Sequence, residues 1–318
     1  MMRYRLYGIT LESDFPFTWP LVDTSDHPDV VFTCTSVAPL DVDWESATAV
    51  HAVAVRGDED RPDIAYHVLP ELDVVRIADV ADHYVWPDQI ICHLHVSDLE
   101  YLVEIQLLGM VLALWLERRG TPTLHASAAV VDGSTVAFLG SKGGGKTTAA
   151  TALIAAGHPM LVDDLLALAV RDGEDAVWAQ PGYPMLRLWP EQIEVFVDGD
   201  PSDLPMVHPA FRKRRVDVGG RIGSFQSTPA PLSHVYIPVR EVDAAIKIER
   251  LSHRNALLAL VRDSFLSRAV HGLGLAGPRL ASLVRATERL EVSVLHYPDG
   301  FDRLNELVEA VERDVARG

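Results

Sequence analysis

The chain has 318 residues, with 28 Lys and Arg against 45 Asp and Glu, a formal net charge of −17 with histidines neutral. Acidity of this size excludes a general nucleic-acid binder and a polybasic membrane-docking patch, because both need a positive surface. With 48% hydrophobic and 23% charged residues, the chain buries a sizeable core in one large or two modest domains and is not a disordered polymer.

Two cysteines, Cys34 and Cys92, without CxxC spacing, are too few for a disulfide framework. The expected compartment is a reducing cytoplasm. The N-terminal residues reach charged and turn-forming positions before an apolar run of secretory length develops, so no signal peptide is expected. The most apolar stretch, 107–116, is about half of the ~20 residues that cross a bilayer. Glu104 and Glu117-Arg118-Arg119 bracket it, and it reads as a buried helix.

In chain order, short alternating segments at 4–11, 30–34, 50–56, 72–78 and 84–95, separated by Pro, Asp and Gly clusters, predict a β-rich N-terminal domain over 1–97. Cys92, His93 and His95 lie close enough to raise a metal site, but no second ligand pair is nearby in sequence. Strand packing or surface placement is the expectation for them. Ser97, with Glu100 three residues on, reads as the cap of a connecting helix over 98–121. Leu99, Leu102, Val103, Leu107, Val111 and Leu114 recur along it at helical spacing.

A second domain is expected over 122–318. It opens with strands at 124–131 and 135–139 around an Asp132-Gly133 turn, then a glycine-rich loop and an Ala-rich helix ending at Gly157. Helices at 255–271, 277–288 and 301–316, with a strand at 291–295, complete it. Glu306, Glu309 and Glu312 read as the solvent face of the last helix, and His158 as packing of the helix–strand turn. Trp86, Trp115, Trp178 and Trp189 lie in apolar segments and are expected in the core.

The loop Gly140-Ser141-Lys142-Gly143-Gly144-Gly145-Lys146-Thr147, with Thr148 beside it, satisfies GxxxxGK[ST] between a strand-like and a helix-like segment. That is the context in which backbone N–H groups and a helix N-terminus cradle phosphates, a lysine reaches the terminal phosphates and a threonine hydroxyl meets Mg²⁺. A nucleotide site leaves its use open, since motors, switches, transporters and kinases share this loop. Asp163-Asp164 follow the helix directly, at the end of a short predicted strand, Met160–Val162. On an extended chain two adjacent acids point to opposite sides, so that one can hold a metal and the other accept a proton from a hydroxyl. This division suits phosphoryl transfer to an alcohol.

The loop, Gly157-His158 and Asp163-Asp164 together resemble the catalytic domain of bacterial HPr serine kinase/phosphorylases, relatives of the PEP carboxykinases. His125 upstream and, more loosely, Tyr236-Ile237-Pro238-Val239-Arg240 extend the match, which covers roughly 122–250. The resemblance implies a mixed α/β (α+β) fold with a P-loop kinase domain behind a β-rich N-terminal domain that is not the family's own. It implies ATP and Mg²⁺ as cofactors and a peptide or protein carrying an acceptor serine as partner, with no nucleic acid or membrane and with a homo-oligomer compatible. By position, Lys146 and Thr147 bind phosphates and metal, Asp164 is the base with Asp163 beside it, and His125 stands near the acceptor.

Where the family carries an acidic metal ligand in a Glu-Ile-Arg-Gly-Leu-Gly segment, this chain has Gln180-Pro181-Gly182-Tyr183-Pro184. Gln180 offers a metal a neutral carbonyl, which shifts the load to Thr147 and Asp163. Because the resemblance ties that segment to the family's reverse reaction, the change puts phosphorylase activity in doubt. The N-terminal domain and the segment 182–190 look more like lasso-peptide precursor kinases, which the resemblance implies phosphorylate a C-terminal serine hydroxyl of a precursor peptide. Arg212-Lys213-Arg214-Arg215, the only dense basic run, is read as an arm for phosphate or an acidic peptide, with Arg215 or Arg214 the first candidates and Arg187 a weaker one. A small-molecule kinase and a nucleotide-binding switch or scaffold that transfers nothing are the competing readings.

Overall fold

In the computed structural model, which describes residues 1–44, 47–53, 63–96, 99–140, 143–170, 173, 175–242 and 245–317, alternation of buried and outward residues builds one large sheet from the first 94 positions. Its strands are β1 (Met2–Leu6), β2 (Ile9–Ser13), β3 (Val22–Asp23), β4 (Val30–Thr35), β5 (His51–Val53), β6 (Ile64–Val68), β7 (Asp73–Ile77), β8 (Ala81–Val85) and β9 (Gln89–Leu94). They lie in the order β3-β1-β2-β4-β9-β8-β7-β6-β5. The segment 84–95, expected as one strand, is the end of β8 and all of β9, joined by a turn that starts after Val85. The strand β6 is an addition to those the sequence pattern predicts. Leu6, Leu11, Phe32, Val75 and Ile90 share one buried face, and Val74, next to Val75 on β7, is buried on the other.

The expected connecting helix runs as α1 (Glu100–Gln106), a π-helical turn Leu107–Val111, and α2 (Leu112–Arg118). Ser97, its expected cap, lies outside the described residues. From Val111 to Glu117 every residue is buried, more than a single apolar stripe requires. Glu104 is held by the Thr18 hydroxyl at 2.7 Å and the Trp19 N–H at 3.2 Å, and the Tyr7 hydroxyl donates to the Leu108 carbonyl at 2.9 Å. Arg118 forks onto Asp73 with two bonds of 2.6 Å and donates to the Leu273 carbonyl.

The second part of the chain holds β10 (Thr123–Val131), β11 (Ser134–Leu139), α3 (Lys146–Ala155), β12 (Met160–Val162), β13 (Leu165–Val170), β14 (Val177–Ala179), β15 (Met185–Leu188), α4 (Pro190–Phe196), β16 (Met206–His208), β17 (Phe211–Asp217), β18 (Ala230–Glu241), β19 (Lys247–Arg250), α5 (His253–Arg262), α6 (Ala276–Thr287), β20 (Glu291–Pro298) and α7 (Leu304–Val315). Asp132 and Gly133, both at positive φ, make the two-residue turn between β10 and β11. That is the backbone a tight hairpin selects, and Asp-Gly supplies it. β11 pairs antiparallel with β10 and parallel with β18, so the path β10-β13-β14-β18-β11 closes on itself, with β20 parallel on the far side of β18. A separate three-stranded sheet, β15-β17-β16, takes up the basic run 212–215, which is a strand and not a loop.

Val136, Phe138, Leu153, Met160, Leu186, Ile193, Tyr236 and Leu295 form one core with Leu307 and Val311 of α7. Glu306 and Glu309 face outward, and Glu312 accepts the His158 imidazole at 2.8 Å, so that His158 packs the turn as its position suggested. The helix expected at 255–271 stops at Arg262. By contact the chain divides into one compact unit of 1–120 with 266–279, and another of 121–265 with 280–318. The segment 266–279, which a division at 98 and 122 assigns to the second domain, belongs with the first. No helix among the described residues is long and apolar enough to cross a membrane.

Candidate active site

The C-terminal ends of β11 and β12 and the N-terminus of α3 meet in the second unit around a cleft of about 240 Å³. Gly140, Gly143 and Gly145 carry φ values of 148°, 82° and 93°, which L-residues with a side chain rarely adopt. At Gly145 a Cβ would also run into the Tyr297 hydroxyl. Gly143, Gly144, Gly145, Lys146, Thr147 and Thr148 line the cleft. Ser141 and Lys142 lie outside the described residues. Lys146 is buried, and its ammonium donates to the Gly140 carbonyl at 2.7 Å, closing the loop on itself. Burial lowers the Lys146 pKa, with Asp164 and Asp163 opposing the shift.

Asp163 is the hub of an oxygen cluster. Its Oδ1 accepts from the Ser127 hydroxyl at 2.6 Å and the Thr147 hydroxyl at 3.3 Å, and its Oδ2 from the Arg187 N–H at 3.2 Å. Carboxylate and hydroxyl oxygens at this density are the donors a hard divalent cation prefers. Ser127 was missed by sequence reasoning, although it lies two residues after His125 on β10 and therefore on the same face.

Asp164 is not extended. It sits at φ 80°, and the Leu165 N–H bonds back to the Asp163 carbonyl, closing a three-residue turn around it. The two carboxylates do meet different partners, through this turn and not through strand alternation. Asp164 Oδ2 pairs with the Arg187 guanidinium at 2.5 Å, and Oδ1 lies 3.4 Å from His125 Nε2. Burial would raise the Asp164 pKa, but Arg187, His125 and Lys213 outweigh it and hold the carboxyl at about 2. Burial lowers the His125 pKa against the pull of Asp164, so its imidazole is neutral near pH 7.

A carboxyl held low in the folded state stabilises the fold fully above its unfolded value of about 3.9, and the gain disappears as pH falls toward 2. The second unit is therefore expected to lose on the order of 2 kcal/mol between pH 5 and pH 2 that an Asp164→Asn variant does not lose. Urea unfolding of both proteins across that range measures it; parallel curves would rule it out.

Of the basic run, Lys213 lines the cleft, while Arg215 stands on β17 in register with Arg187 and is not among the lining residues. Lys213 Nζ lies 5.5 Å from the centre of the Trp189 ring. Trp189, expected in the core, is 36% exposed and forms a cleft wall with Phe301. Gln180 is buried, its N–H bonded to the Ala167 carbonyl at 3.0 Å, and it does not line the cleft. Two further lining residues brace the loop and the helix it opens: Arg240 donates to the Gly143 carbonyl at 2.7 Å, and Gln192 donates to the hydroxyl of Thr148 in the first turn of α3 at 2.7 Å. Lys213 was missed in favour of Arg214 and Arg215; alternation places it on the face of Arg215, a signal available only once the run is known to be a strand. Gln192 carried no signal beyond its place near the start of a helix.

No protein-family model matches the sequence, and no curated protein matches it. Among solved structures, the chain is similar to the Hpr(Ser) kinase/phosphatase from Coxiella burnetii, with a TM-score of 0.28 and 14% identity over 61% of this chain and 96% of that one.

Proposed function

We propose that the chain is an ATP-dependent kinase that moves a γ-phosphoryl group to a serine hydroxyl of a peptide or protein. The observation that carries this reading is the convergence of Lys146, Thr147, Asp163 and Asp164 on one cleft behind a glycine loop that opens a helix. The residues fit Mg-ATP: the loop glycines adopt the positive φ values that turn N–H groups toward phosphate, and Thr147, Ser127 and Asp163 gather oxygens for a cation. When bound, Mg-ATP supplies the transferable phosphoryl group and a cation that neutralises its charge.

The chain's own residues then divide the work. Lys146 places a buried positive charge at the mouth of α3. Arg187 and His125 fix the Asp164 carboxylate, so that it accepts a hydrogen bond from the incoming hydroxyl. A carboxyl held at about 2 is ionised at neutral pH and is a weak base. It suits a loose transition state, in which the hydroxyl keeps its proton until late and orientation counts for most. Trp189, Phe301 and Lys213 form the wall against which the acceptor is seated. The acceptor class, a serine of a ribosomal peptide precursor in the cytoplasm, rests on the resemblance of the segment 182–190 and of the N-terminal part to lasso-peptide precursor kinases.

The test is incubation with γ-labelled ATP, Mg²⁺ and a serine-bearing precursor peptide, followed by mass spectrometry. A phosphate on serine is expected, and its formation should fall at least about a hundredfold in Lys146→Ala. Label on small alcohols and none on peptides would move the reading to a small-molecule kinase. ATP turnover that no acceptor stimulates would move it to a switch.

A further inference from the structure

The sheet of the first unit carries a second chemical cluster, remote in sequence from the glycine loop. Asp82 on β8 and His93 on β9 stand opposite each other in the antiparallel ladder, and His95, two residues on, shares their face. One ligating atom from each can be chosen so that all three lie within 4.8 Å of one another. His95 Nε2 is 3.1 Å from Asp82 Oδ2, while the other carboxylate oxygen accepts from Arg76 Nε at 2.9 Å. Arg76 is itself seated over the Trp44 ring at 3.9 Å, so Asp82 is oriented with Oδ2 toward the histidines. The His93 and His95 rings meet edge to face at 5.2 Å.

Proximity in sequence groups these histidines with Cys92, but Cys92 faces the other side of β9, in register with Cys34. Asp82 takes the third place, from the neighbouring strand. An Asp–His hydrogen bond accounts for His95 and Asp82 alone. It leaves His93, whose Nδ1 is buried and has no hydrogen-bond partner among the described residues. A burial cost of that kind is removed when imidazole nitrogens are taken up by a ligand.

We propose that Asp82, His93 and His95 form a three-ligand site for a borderline transition-metal dication, with Zn²⁺ the best fit. Two imidazoles and one carboxylate suit Zn²⁺ and its neighbours, whereas Mg²⁺ and Ca²⁺ call for all-oxygen shells. Two ligands about 2.1 Å from a tetrahedral zinc lie roughly 3.4 Å apart, close to the spacing His95 and Asp82 already have. His95, with 24% of its side chain exposed, leaves the fourth position open to water. Arg76 offsets the carboxylate charge, so the site is a moderate, reversible binder and not a permanent structural zinc.

The test uses the full chain stripped of metal and titrated with Zn²⁺ against a chromophoric chelator. One Zn²⁺ per chain is expected, undisturbed by excess Mg²⁺, with at least tenfold weaker binding in Asp82→Asn and in His93→Ala. Co²⁺ in place of Zn²⁺ should give the intense visible bands of a four- or five-coordinate site, lost in the same variants. Because His93 is partly packed, His95→Gln at the more exposed position is the variant least apt to disturb folding. Tenfold weaker Zn²⁺ binding with an unchanged circular-dichroism melt supports the site. Zn²⁺ affinity unchanged in both histidine variants, or lost only in Asp163→Asn, would overturn it, the latter by placing the ion in the cleft.

Discussion

Asp164→Asn is expected to lower phosphoryl transfer by about 10² to 10⁴-fold while changing nucleotide affinity less than about threefold. The groups that would hold phosphates are anchored elsewhere, the Lys146 ammonium on the Gly140 carbonyl and the glycine loop on Arg240, so binding is retained. The loss falls on kcat, because the carboxylate that would orient the hydroxyl and take its proton becomes an amide that donates where an acceptor is needed. The amide oxygen still faces Arg187, so the guanidinium keeps an acceptor and the variant should fold. Single-turnover rates and equilibrium binding of a fluorescent ATP analogue separate the two effects. Full activity in the variant would remove Asp164 from the chemistry and leave Arg187 as its structural partner. Comparable losses in rate and affinity would instead mean that the Asp164–Arg187 pair shapes the nucleotide site.

A second large effect is expected far along the sequence from that cleft. Arg279 Nε donates to both Glu117 oxygens, at 3.0 and 3.1 Å, with the two side chains only 4% and 2% exposed. Burial pulls the Arg279 pKa down, and the Glu117 carboxylate opposes it. Replacing one partner leaves the other charged, buried and uncompensated, so Arg279→Leu should cost the first unit about 3–5 kcal/mol. A Glu117→Leu/Arg279→Leu double variant should recover much of this, since an apolar pair escapes the desolvation penalty. Hydrogen exchange of peptides from 100–118 reads the first unit directly. A single-variant loss under about 1 kcal/mol would show that water or relaxation compensates the remaining charge.

The parts of the site that are contiguous in sequence are legible from residue order alone. The glycine loop, Lys146, Thr147 and the acids at 163 and 164 are brought together by one strand–loop–helix–strand passage, whose geometry follows from residue type and short spacing. The Asp132-Gly133 turn is legible for the same reason. Ambiguous local spacing misleads. The helix expected to reach 271 stops at Arg262, and the basic tetrad expected as an arm is a strand. Apolar and basic periodicities over so few residues fit more than one backbone.

From sequence alone came the expectation of a mixed α/β chain, its acidic net charge, a glycine loop of the phosphate-binding pattern and two adjacent carboxylates behind it, because charge, glycine placement and short-range order are properties of the chain itself. Tertiary structure decided the rest. It set Arg187 against Asp164 and Ser127 against Asp163, chose Lys213 over Arg215 and left Gln180 out of the cleft. It also joined 266–279 to the first unit and stood Asp82 beside two histidines. The pairings among these, Ser127 with Asp163 and Asp82 with His93, are settled by sheet register, and the others by which segments pack together, neither of which a local window of sequence encodes.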